Sequence, residues 1–191
     1  MPDLQLDLKS TALVLIDLQN GITRNTTAPH PAGTVISRAV QLADAFRDRG
    51  ATVVLVRVAF AADNSDRVTT PTDAQPPAFT PTADWSEIVS DLGPKPGDLV
   101  VTKRQWGAFY GTDLELHLRR RGIRTIVLGG ISTNFGVEST ARDAYERAFA
   151  IIFVEDVMAS MSAEGHAFAV ASIFPRLGRV RSSADVLAAL G

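Results

Sequence analysis

Apolar and polar positions follow two rhythms along this chain. Short, nearly continuous apolar runs occur at Thr11–Ile16, Thr52–Val58, Asp98–Thr102, Arg124–Leu128 and Ala150–Val154. Such runs suit strands buried on both faces of a parallel sheet. Between them lie segments with apolar residues three and four apart. In Thr34–Arg49 these are Val35, Ile36, Ala39, Val40, Leu42, Ala43 and Phe46, and Gly50 follows as a helix stop. Thr112-Asp113-Leu114-Glu115 has capping-box spacing and opens a helix predicted to reach Arg121, before Gly122. Another helix is predicted after a turn at Ile131–Gly136, with Val137, Ala141, Ala144, Tyr145 and Ala148 at helical spacing. Ser162 is the predicted cap of a helix to Phe174. Arg179-Val180 reads as a short sixth strand, and Ser182 or Ser183 as the cap of a last helix to Leu190. Strand and helix alternate throughout. The predicted class is therefore α/β: a three-layer α/β/α, Rossmann-like domain on a six-stranded parallel sheet with right-handed crossovers, spanning residues 1–191 as one unit.

One stretch breaks the rhythm. Ala59–Gly97 holds Pro71, Pro76, Pro77, Pro81, Pro94 and Pro96 among polar residues. It reads as a long irregular excursion with a short helix from Trp85 to Leu92. Excursions of that length usually serve as a lid or a subunit contact.

Composition narrows the function classes. The chain has 191 residues, 46% of them hydrophobic, which suits a single sizeable core. A formal net charge of −2 points to neither nucleic acid nor membrane as partner. No apolar run is long enough to span a bilayer, and the N-terminus lacks a basic stretch followed by an apolar core, so a cytoplasmic location is expected. There is no cysteine, which excludes disulfides, thiolate catalysis and thiolate metal sites. His30, His117 and His166 lie far apart and in no metal-ligand spacing; no metal and no cofactor are expected.

Three residues stand just past the carboxyl ends of predicted strands: Asp17, Lys103 and Gly136. In an open parallel sheet that rim is where ligands bind. A carboxylate near an ammonium can serve as an acid or base, its pKa set by burial and by its neighbour. The bland alternatives are a turn carboxylate for Asp17 and a solvated charge for Lys103. Trp106, Phe109 and Tyr110 line a pocket, pack in the core or make a subunit contact. Gln19 either hydrogen-bonds substrate or serves a turn. Ser132, Thr133, Asn134 and Phe135 form the turn before Gly136, where donors either hold an oxyanion or satisfy the turn itself. His166 reads as structural, Asp156 as a loop cap, and Arg119-Arg120-Arg121 as a solvated helix end.

Three motifs in this order and spacing resemble the isochorismatase-like (cysteine) hydrolase family over nearly the whole chain. They are Ala12-Leu13-Val14-Leu15-Ile16-Asp17-Leu18-Gln19, Lys103-Arg104-Gln105-Trp106-Gly107-Ala108-Phe109, and Gly130 through Asp143 with Ser132-Thr133-Asn134-Phe135-Gly136 at its heart. The resemblance implies an Asp, Lys, Cys triad in most members. Asp17 and Lys103 match the first two, and Gly136 stands where most members carry the nucleophilic Cys. It also implies a non-proline cis peptide at Ile131-Ser132 and a homo-oligomer, dimer or tetramer. Amide hydrolysis in the family needs the thiol to form an acyl-enzyme, which glycine cannot do. True isochorismatases resemble this chain in carrying Gly at that position, because vinyl-ether hydrolysis needs no nucleophilic side chain. By matching position, Asp17 is then the general acid, and Lys103 orients it or binds a substrate carboxylate. The Ser132-Thr133-Asn134 turn is similar to the amidase branch instead.

Three readings follow. The first is a cofactor-independent hydrolase of isochorismate or a similar small enol-ether or carboxylate substrate, with Asp17 as general acid. The second is a non-catalytic ligand-binding or scaffold member that lost the Cys. Amide hydrolysis by an Asp-activated water is a third.

Overall fold

The computed structural model describes residues 4–74 and 79–190. Met1-Pro2-Asp3 of the N-terminal stretch, and Pro76 and Pro77 of the Pro-rich excursion, lie outside them.

The strands are β1 (Thr11–Ile16), β2 (Thr52–Val58), β3 (Leu99–Lys103), β4 (Thr125–Ile131), β5 (Ala150–Ala159) and β6 (Arg179–Arg181). They form one six-stranded sheet in the order β3-β2-β1-β4-β5-β6, and every pairing is parallel. The helices are α1 (Asn20–Thr23), α2 (Ala32–Asp48), α3 (Leu114–Arg120), α4 (Glu138–Glu146), α5 (Ala163–Phe168), α6 (Phe174–Leu177) and α7 (Ser183–Ala188). β1 is buried at every position, as its unbroken apolar run requires. Its side chains alternate between two cores. Ala12, Val14 and Ile16 face Leu118, Ala141 and Phe174; Leu13 and Leu15 face Leu42, Phe46 and Val186. Helices therefore cover both faces. Each fully buried side chain such as Phe46 or Phe153 contributes roughly 1.5–3 kcal/mol from burial.

The strand order reverses between β1 and β4. The carboxyl ends of these two strands flank the crevice where an open α/β sheet takes its ligand. Ile16 and Gly130 lie side by side there. A Cβ on Gly130 would come within 2.1 Å of the Ile16 carbonyl oxygen, and Gly130 has φ +128°, so only glycine fits that approach.

Several expectations are corrected. β4 runs on through Gly129, Gly130 and Ile131, and β5 through Glu155 and Asp156 to Ala159, across a register shift between them. Both stop beyond their apolar runs, because backbone pairing does not depend on side-chain polarity. The segment Trp85–Leu92 is turns with a single antiparallel bridge, Gln19 to Ile88, and not a helix. Its backbone is spent on the β1–α1 segment, through Asn20 N–H to Glu87 O, Gly21 N–H to Trp85 O and Val89 N–H to Leu18 O. The capping box at Thr112 is not formed, since Glu115 pairs with Arg119 and Arg147 instead. A capping box does form at Ser182 with Asp185. The helix expected from Ser162 to Phe174 is interrupted by a π-turn at Ala169–Ile173. Among the described residues no helix is long and apolar enough to cross a membrane.

Candidate active site

β1 ends at Ile16 and leads into Asp17, whose backbone turns to a positive φ of 53°. Aspartate tolerates that conformation better than most residues, at about 1–2 kcal/mol. Such backbone strain concentrates at functional sites. Asp17 is 5% exposed, and Lys103, reaching from the edge strand β3 across the end of β2, is 2% exposed. Lys103 Nζ donates to Asp17 Oδ2 at 2.7 Å and to the Gln105 carbonyl at 3.0 Å. Asp17 Oδ1 is buried with no hydrogen-bonding partner in the protein. An acceptor in that condition is costly unless it carries a proton or meets a ligand.

Burial pushes the Asp17 carboxyl up to about 6, against the opposing charge and hydrogen bond of Lys103. Its folded value thus lies above its unfolded one of 3.8. The folded state holds the extra proton, and stability falls as pH rises from about 4 through about 6. A shift of about two units corresponds to about 3 kcal/mol. Urea unfolding at pH 4 and pH 7 should show this component in the native chain and lose it in Asp17→Asn.

The turn after β4 forms the opposite wall. The Ile131–Ser132 peptide is cis, as the resemblance implied. Thr133–Val137 is a π-turn that leads into α4. Gly136 is buried, and a Cβ placed on it would lie 3.1 Å from Asp17 Oδ2 and 3.0 Å from Ile16 Cγ2. The three motifs therefore meet. Thr140, whose place in the site no local pattern marks, ties the second of them to the third. Its hydroxyl donates to the Gly136 carbonyl at 2.7 Å and accepts from the Ala108 N–H at 3.1 Å. The aromatic loop is braced by the Gln105 amide, which donates to the Gly107 and Tyr110 carbonyls.

The remaining candidates separate. Trp106 and Phe135 touch edge-on, ring centroids 5.0 Å apart, and both are exposed beside the site. Phe109 is buried in the core against Phe149, not on a pocket wall, because its ring falls on the inner side of the loop. Gln19 is fully buried. Its amide donates to the Val58 and Trp85 carbonyls and accepts from the Val58 N–H, so it splints β1 to β2 and the excursion instead of facing a ligand. Thr133 is buried with its hydroxyl on His166 Nδ1 at 2.8 Å. Ser132 donates to the Met161 sulfur, and Asn134 accepts from the Ser160 hydroxyl at 2.5 Å. These turn side chains anchor the turn to β5 and α5. Ser160 and Met161 gave no signal in sequence, since their role depends wholly on this packing.

Glycine at 136 is tight but not closed to a side chain. Gly136→Cys should fold, with roughly 1–3 kcal/mol lost to overpacking. Its side chain would stand against Asp17 Oδ2, the oxygen that Lys103 Nζ holds, in the turn leading into α4, and thiolates are favoured near an ammonium and a helix start. Iodoacetamide is expected to label it faster than free cysteine, against no background from a chain without cysteine. Labelling no faster than free cysteine would place residue 136 outside the site.

A parallel α/β sheet with a buried acid–ammonium pair at its switch point defines an α/β domain with a candidate acid–base site at the carboxyl edge of its sheet. The chain belongs to the isochorismatase family of hydrolases, whose domain pattern matches residues 11–185. It is 51% identical over 187 residues to the uncharacterized isochorismatase family protein YecD of Escherichia coli O157:H7, covering 98% of this chain and 100% of that one. An isochorismatase family protein of Burkholderia thailandensis superposes with a TM-score of 0.93 at 46% identity, over 97% of each chain. The N-carbamoylsarcosine amidase of Thermoplasma acidophilum superposes with a TM-score of 0.73 at 29% identity, over 91% of this chain and 96% of the amidase.

Proposed function

We propose that this hydrolase cleaves a small enol-ether substrate of the isochorismate kind without a cofactor, with Asp17 as general acid. The observation that carries this is the Asp17 carboxyl. It is buried, its pKa is raised to about 6, and its Oδ1 has no partner, beside a glycine where a thiol would be needed for covalent catalysis. In this reading Asp17 gives its proton to the enol-ether carbon. The ether oxygen stabilises the resulting cation, water adds to it, and the hemiketal collapses to pyruvate and the freed alcohol. The attacking water returns a proton to Asp17, so the acid is regenerated. Lys103 holds the transient carboxylate at 2.7 Å and keeps it oriented. Trp106 and Phe135, with the Ser132–Asn134 turn behind them, border the substrate.

The likeness to an amidase favours a second reading, amide hydrolysis by a water that Asp17 activates. Gly136 counts against it, because acyl transfer to a side chain is impossible there. A ligand-binding member without turnover would retain the same Asp17–Lys103 pair. We expect a homo-oligomer, with exposed rings such as Tyr110 available to a second copy. We place the chain in the cytoplasm, a setting that a chain without cysteine permits.

The test is pyruvate release from isochorismate by the native chain. Release supports the vinyl-ether reading. No release removes isochorismate as substrate, and a screen of small amides and ureido compounds then decides between hydrolysis and binding alone.

A further inference from the structure

Behind the turn that presents Gly136, the fold gathers side chains that the proposed reaction does not use. His30 comes from the segment before α2, Glu155 from β5 and His166 from α5. His30 Nε2 lies 2.9 Å and His166 Nε2 lies 3.1 Å from the same Glu155 Oε1. One ligating atom from each residue falls within 4.8 Å of the other two. No other such trio occurs among the described residues. The imidazoles stand edge to face, centroids 6.0 Å apart, and both Nε2 atoms meet at the same Glu155 oxygen.

We propose that His30, Glu155 and His166 form a binding site for a divalent cation of the zinc class. Two imidazole nitrogens with one carboxylate oxygen is a donor set for borderline metals such as Zn²⁺ or Co²⁺, and not for Ca²⁺ or Mg²⁺, which take oxygen. Each Nε2 needs to move only a few tenths of an ångström from Oε1, and the two Nε2 atoms already lie within 4.8 Å of each other, for the three to stand about 3.3 Å apart around a tetrahedral ion with bonds near 2.0–2.1 Å. A second observation supports the assignment. His166 Nδ1 is held by the buried Thr133 hydroxyl at 2.8 Å, the outer hydrogen bond that orients a metal-bound histidine. Glu155 and His30 are partly exposed, which leaves an entry path and room for a water as fourth ligand.

The site joins three elements that are distant in sequence. It reaches the π-turn through Thr133, three residues before Gly136, so the ion would fix the wall of the active site without touching it. Its role is positional.

The experiment is calorimetric titration of the chelator-treated full-length chain with ZnCl₂, followed by Co²⁺ substitution. One Zn²⁺ per chain is expected, with an intense visible Co²⁺ spectrum typical of four-coordination. His30→Ala and Glu155→Gln should each weaken binding more than about tenfold, and Thr133→Val by roughly 10–100-fold. His30 and Glu155 are partly exposed, so both variants should fold, which circular dichroism checks. Zn²⁺ should raise the melting temperature of the native chain and not of the ligand variants. Failure of the native chain to take up Zn²⁺ stoichiometrically would overturn the proposal, as would uptake that His30→Ala and Glu155→Gln both retain. Neither outcome bears on Asp17, whose part is read from pyruvate release.

Discussion

Asp17→Asn is expected to lower kcat/KM for vinyl-ether hydrolysis by roughly 10²–10⁴-fold while leaving the fold intact. The amide keeps the shape of the carboxyl and can still meet Lys103 Nζ, which sits 2.7 Å from Oδ2 in the native chain. What it lacks is a transferable proton. The native profile should carry the same signature. Asp17 titrates at about 6, and a general acid works in its protonated form. So kcat/KM should fall as pH rises through about 6, and the residual activity of Asp17→Asn should be flat there. Because kcat/KM reports the free enzyme, substrate binding does not blur that comparison. Activity retained within about tenfold in Asp17→Asn would remove Asp17 from the proton transfer.

Lys103→Met is expected to cost stability in a pH-dependent way. Lys103 is buried and its ammonium is the cation beside the Asp17 carboxylate. Removing one partner of a buried pair leaves an uncompensated charge, at about 3–5 kcal/mol. Asp17 can escape part of that cost by taking a proton. Without the cation, its folded pKa moves further above the unfolded 3.8, and folded protein holds the proton over a wider range. The loss of stability should therefore be near its full size at pH 8 and much smaller at pH 5, where neutral Asp17 needs no counter-charge. Urea unfolding of native and variant chains at the two pH values measures this. An equal loss at both would mean that Lys103 acts through packing and its bond to the Gln105 carbonyl alone.

The apolar runs determined much of this protein before any folding was seen. A strand buried on both faces needs an unbroken apolar run, and a helix on a sheet needs apolar residues at helical spacing. Both signals are local, so the α/β class and the first five strands could be read directly, while β6, Arg179–Arg181, has only one apolar residue to mark it. The same logic put Asp17 and Lys103 at one rim, because charges that end buried strands of a parallel sheet share an edge. Element ends were less legible. β4 and β5 continue through glycines and carboxylates because their neighbours supply the hydrogen bonds.

What the tertiary structure alone decided was partnership. Gln19 and Phe109 carry no local mark of facing inward. Gln19 is claimed by Val58, 39 positions away, and Phe109 by the ring of Phe149. Thr140 looks like any helix threonine until its hydroxyl is seen joining Gly136 to Ala108. His30 and His166 are 136 positions apart in sequence, beyond any ligand spacing a motif could reveal, yet both reach one oxygen of Glu155. Sequence pattern records what each segment needs from its own backbone and from water. Which distant side chains satisfy one another is set by the order of strands in the sheet, and that order is a property of the folded chain.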